Sequence, residues 1–167
     1  MMKTFIKIIL FFLFSNSVYA YCDFEFVKME RTLKEFSSKI TFIRENEGLG
    51  SRPNTFFVPS EEICNDANYK MFPIGYTFLN NQLHQIFLED IFTDIDHLEN
   101  LSYYYGKPTE QYEDQGTSGM NFYHWDLGFK HVFLVIKFTP SESIKNIEIV
   151  TTKYPTLMEK NNEELEE

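Results

Sequence analysis

Two strongly alternating runs joined by one short glycine turn constrain this chain more than any other feature. In "NFYHWDL" (residues 121–127), Tyr123, Trp125 and Leu127 share one side, with Phe122 and His124 opposite. In "HVFLVIKF" (131–138), Val132, Leu134, Ile136 and Phe138 share one side, with His131, Phe133, Val135 and Lys137 opposite. Side chains alternate with period two along a strand, and the turn at Gly128 makes these runs an antiparallel hairpin. The first set of the later run is core. The second set of the later run is half apolar, which implies a face that is partly covered. Other strand-like runs repeat the rhythm. "ITFIRE" and "NTFFVP" flank the Gly- and Asn-rich "NEGLGSRP", which reads as a hairpin loop. "IGYTFLN" and "QLHQIFLED" flank Asn80-Asn81, a tight-turn pair because Asn tolerates the left-handed conformation. "TEQYEDQ" and "IKNIEIVTT" complete the set. "DFEFVKM" (23–29) reads as a strand or an extended lead-in.

Helical signals precede each group of strands. Thr32 and Glu35 form a capping-box pair, followed by Leu33, Phe36 and Ile40 on one face. In "TDIDHLENLSYYYGKP", Thr93 and Asp96 suit a helix N-cap, and Ile95, Leu98, Leu101 and Tyr105 recur at helical spacing. Gly106 can take the left-handed conformation at the helix end, and Pro108 stops continuation. The expected fold is α+β: an antiparallel β-sheet with two helices packed on one face, arranged as two helix-plus-four-strand units.

The N-terminus has the layout of a secretory signal peptide. Lys3 and Lys7 precede the apolar run from Ile8 to Phe14, and Val18-Tyr19-Ala20 fits a small-residue cleavage site. The expected organisation is a signal peptide over 1–20, a single α+β domain over 21–156 and an acidic disordered tail over 157–167. Cleavage after Ala20 would leave 147 of the 167 residues, the size of one domain. The expected location is periplasmic or secreted, with no membrane association after cleavage. Cys22 and Cys64 are the only two cysteines, and an oxidising compartment would join them as a disulfide.

The formal charge is −10, and loss of Lys3 and Lys7 with the leader would make it −12. That balance argues against nucleic acid and anionic membrane surfaces as partners, both of which require basic patches. It suits a basic protein partner of unknown identity.

The order of elements, the helix exit Tyr105-Gly106-Lys107-Pro108 and the Trp125 strand running into an aliphatic strand resemble small exported bacterial α+β proteins. Their architecture is similar to that of the β-lactamase inhibitor proteins, or of small outer-membrane assembly lipoproteins. The resemblance covers the element order over most of 23–152. It implies an inhibitor-like or scaffold-like binding role and assigns that role to no particular residue.

No motif carries catalysis or a cofactor, so none of either is expected. Asp94, Asp96 and His97 lie one and two residues apart on a helix and do not converge. His124 and His131 flank the hairpin turn and could pair across it; with Asp126 they are the candidates for a metal site or for a hydrolase. The abundant tyrosines offer large contact area at low entropic cost, and Tyr103, Tyr104, Tyr112 and Tyr123 are the candidate partner surface. The leading expectation is a non-enzymatic, exported protein-binding domain, of inhibitor or immunity type. The alternatives are a small-ligand carrier with an apolar, sheet-lined pocket and the hydrolase.

Overall fold

The computed structural model describes residues 22–40, 44–45, 54–64, 73–91 and 96–166. Eight strands form one antiparallel sheet: β1 (Arg44–Glu45), β2 (Thr55–Pro59), β3 (Pro73–Leu79), β4 (Gln82–Ile91), β5 (Glu110–Tyr112), β6 (Gly119–Asp126), β7 (Lys130–Phe138) and β8 (Ser143–Thr151). Their spatial order is β1-β2-β3-β4-β8-β7-β6-β5. Among the described residues three α-helices accompany them: α1 (Leu33–Ser37), α2 (His97–Tyr105) and α3 (Tyr154–Glu166). The chain is therefore α+β. The signal-peptide reading and the "NEGLGSRP" loop fall outside the described residues, as do Thr93 and Ile95.

The register explains the core. Phe56, Tyr76, Ile86, Ile149, Val132 and Trp125 are successive cross-strand partners from β2 to β6. Leu88, Ile147, Leu134 and Tyr123 form a parallel row two residues along. Period-two alternation puts both rows on one face, where they join Phe36 of α1 and Leu101 of α2 in a single apolar cluster. Each large side chain fully buried this way contributes about 1.5–3 kcal/mol.

Local chemistry sets the element ends. Thr32 caps α1, its hydroxyl accepting from the Glu35 amide while Glu35 accepts from the Thr32 amide. The cap of α2 is Asp96, three residues after Thr93, with its carboxylate accepting from the Glu99 amide. Asn80 and Asn81 both have positive φ (50° and 62°), as a two-residue hairpin of the primed type requires. Gly106 ends α2 at φ 79°, ψ −161°, a region open almost only to glycine. A Cβ there would meet nothing within 4 Å, so Gly106→Ala is expected to cost about 1–3 kcal/mol through backbone strain alone. A urea midpoint reads this directly.

Three expectations are corrected. The segment 23–29 is a series of turns; an isolated bridge pairs Cys22 with Cys64, and a second, between Thr32 and Gln82, joins the residues that follow to β4. The acidic tail expected to be irregular is helical as α3: Leu157, Met158 and the glutamates are good helix formers, and Pro155 sits in the first turn, where its missing amide is no loss. Tyr123 is buried, because it shares the inward face with Trp125; its hydroxyl donates to Glu113 at 2.8 Å. Burial first, and the Glu113 carboxylate next, push its pKa up to about 12.

α3 adds cover on the opposite face of the sheet. Tyr154 donates to Gln85 Oε1 at 2.8 Å, and Thr77 donates to the same oxygen at 3.0 Å. These two sheet residues are buried although they point away from the main core.

One buried group makes stability depend on pH. His97, in the first turn of α2, is 1% exposed. Burial, reinforced by Lys145, lowers its pKa to about 4, against an opposing pull from Asp96. Below pH 6.5 the unfolded chain therefore takes up a proton that the folded chain refuses. Stability falls as pH drops from about 6.5 to 4, by about 3 kcal/mol from this group. His97→Gln is expected to flatten that segment of a stability-against-pH curve; an unchanged slope would remove His97 as its source.

Candidate binding sites

A cavity of about 590 Å³ is walled by the N-terminal segment, α2 and the β6–β7 turn. Its lining includes Cys22, Asp23, Glu25, Tyr104, Phe129 and Lys130. That volume lies in the range of small-molecule sites.

Its floor is charged. Glu25 Oε1 accepts from Lys130 Nζ at 2.5 Å and from the Tyr105 hydroxyl at 2.5 Å. The Glu25 and Lys130 side chains are 7% and 9% exposed. Burying two charges costs several kcal/mol each, repaid only by close pairing and further hydrogen bonds. Tyr105 supplies such a bond, and its ring lies 5.0 Å from the Lys130 ammonium. Burial, then the Glu25 charge, hold the Tyr105 hydroxyl far above its usual pKa, so it stays a donor. The Cys22–Cys64 disulfide fixes the start of the segment that carries Glu25.

The rim is aromatic. Tyr104 and Phe129 line the opening and are exposed, and Phe129 stands 5.5 Å from the Lys130 ammonium. Tyr103, 79% exposed, packs edge-on against Tyr104 with ring centroids 5.5 Å apart. Two of the four expected tyrosines therefore cluster beside this cavity. Tyr112 is exposed elsewhere, on edge strand β5 opposite Phe122; Tyr123 is in the core.

Sequence reasoning missed Glu25, Lys130 and Phe129. A signal for Lys130 was present: stepping back by two from Val132 along the inward set reaches it. A lysine in a core register is rarely unpaired, but nothing local names a partner 105 residues away.

The outer face of β5–β8 forms a second surface. His124 and His131 are brought together, with His124 Nε2 3.0 Å from His131 Nδ1. Glu110 Oε2 lies 3.5 Å from His124 Nδ1, and Asp126 Oδ1 lies 3.9 Å from His131 Nδ1. Phe133 stacks on His124 at 4.7 Å and 14°. Among the described residues neither ring is hydrogen-bonded to a serine or a thiol. A smaller groove of about 170 Å³ runs beside the pair, lined by Phe87, Phe133, Val135 and Glu148.

Among the described residues no helix is long and apolar enough to cross a membrane. No known protein family, no curated protein and no solved structure matches this chain.

Proposed function

We propose that this protein is an exported binding domain that docks a partner protein over the α2–β7 cavity. The observation that carries the reading is the pair of exposed rings, Tyr104 and Phe129, lining one concavity of about 590 Å³, with exposed Tyr103 packed against Tyr104. Exposed aromatics beside a recess are the usual anchors of protein recognition. Carbon-rich rings with few rotatable bonds lose little entropy on docking. The charge of −10 favours a basic partner through long-range attraction. A leader-like N-terminus and the Cys22–Cys64 disulfide support export. The test is capture from the exported fraction of the source cells on immobilised mature protein. Retention of a basic protein at micromolar concentration is expected; an empty column would contradict the proposal.

A second reading, a small-ligand carrier, draws on the buried Glu25–Lys130–Tyr105 floor, which differs from the apolar, sheet-lined pocket expected. Native mass spectrometry of gently purified protein distinguishes the two: a bound small mass favours the carrier, and a bare chain removes it.

We also infer that the halves are two copies of one helix-plus-four-strand unit. The order α1-β1-β2-β3-β4 followed by α2-β5-β6-β7-β8 supports this, as does a sheet order that mirrors about the β4–β8 pairing. Both first helices contribute to one apolar cluster.

A further inference from the structure

We propose that His124 and His131 form a copper(II) site on the outer face of β6 and β7, independent of the docking cavity. The geometry points there first. His124 Nε2 and His131 Nδ1 lie 3.0 Å apart, close enough for one ion to reach both once the rings turn. Cu2+ takes mixed nitrogen and oxygen donors in tetragonal geometry. Cu2+ also binds nitrogen donors more tightly than the other first-row divalent ions.

The surroundings supply what such a site needs. Residues 124 and 131 are diagonal neighbours on one face, since His124 pairs with Phe133 and His131 with Asp126. The two strands hold their backbones at fixed separation. Phe133 stacks on the His124 ring. Glu110 approaches the other nitrogen of that ring at 3.5 Å, the position of the carboxylate that orients a metal-bound imidazole. Asp126, 49% exposed and 3.9 Å from His131 Nδ1, offers an oxygen for a third position. Among the described residues no three His, Cys, Asp or Glu side chains already converge as a metal cage. The protein therefore provides two nitrogens, Asp126 turns inward, and water completes the shell. Binding replaces the hydrogen bond between the rings: the donating ring shifts to its other tautomer, its proton passing through solvent to its far nitrogen, so that both rings stay neutral and each turns until both lone pairs meet at the ion. The part-exposure of the His124 and His131 side chains, 15% and 29%, leaves room for that turn. The other two histidines, His84 and His97, are each 1% exposed and do not compete.

The test is titration of the mature protein with Cu2+, read by electron paramagnetic resonance and by calorimetry. One ion per chain is expected, with a tetragonal spectrum and coupling to two imidazole nitrogens. His124→Ala and His131→Ala should each weaken binding at least tenfold, with the far-ultraviolet circular dichroism unchanged. Zn2+ should bind at least tenfold more weakly than Cu2+. A wild-type spectrum without two imidazole nitrogens would overturn the site whether or not the variants fold. So would equal Cu2+ affinity in the double variant, and Zn2+ binding as tight as Cu2+ would overturn the tetragonal assignment.

Discussion

Lys130→Met is expected to destabilise the protein by about 3–5 kcal/mol, because it leaves Glu25 as a buried carboxylate without its counter-charge. The wild-type pair is close, both side chains are under one-tenth exposed, and the same carboxylate oxygen also takes the Tyr105 hydroxyl. Methionine keeps the length of the lysine stem, so packing is preserved and the charge is the main loss. The companion Glu25→Leu/Lys130→Met variant should recover most of that loss, since buried pairs replaced by apolar groups of similar size are often neutral or stabilising. Denaturant titration of both variants separates the cost of an orphaned charge from the net worth of the pair. A single variant within 1 kcal/mol of wild type would show that water reaches the cavity floor and screens the pair.

Loss of the Cys22–Cys64 disulfide is expected to cost about 4 kcal/mol. The bond closes a loop of 42 residues, and loop-closure entropy in the unfolded chain sets the scale. The bond has a local consequence too: Cys22 lines the cavity, and residues 23–25 follow it directly into the wall and floor. The expected result is a lower denaturant midpoint for Cys22→Ser/Cys64→Ser, with hydrogen exchange at 23–25 raised beyond the global change. A difference under 1 kcal/mol would mean that Phe24, Val27 and Met29, all buried, anchor the segment by packing alone.

Strand identity was legible wherever alternation was strong. β6, β7 and the Asn80-Asn81 hairpin lie where the sequence places them, because period-two patterning and left-handed turn residues are local signals. The capping box at Thr32 and the glycine stop at Gly106 are local in the same way. The start of α2 is less legible, since Thr93 and Asp96 are both good cap residues and the helix uses the second. Tyr123 shows a different limit. Its partnership with Trp125 on one face was readable, and the wish for an aromatic surface conflicted with it; the pleat decides. α3 was hidden by composition, because a glutamate-rich end resembles a solvated tail, whereas Tyr154 reaches the buried Gln85.

The cavity floor was the least legible part. Glu25 and Lys130 meet only because the N-terminal segment folds back across the end of β7, a contact over 105 residues. Single residues carry no mark of such a meeting, apart from the inward register of Lys130. The histidine pair is intermediate: seven residues separate its members, and hairpin geometry alone makes them diagonal neighbours.

The most direct measurement of the docking proposal is a side-by-side capture with wild-type protein and the Tyr104→Ala/Phe129→Ala variant. Both side chains are exposed, so the variant should fold with little change in its denaturant midpoint. Two aromatic anchors at about 2 kcal/mol each predict that the partner retained by the wild type is lost from the variant, with affinity roughly a thousandfold weaker. Equal retention by the two proteins would contradict the proposal.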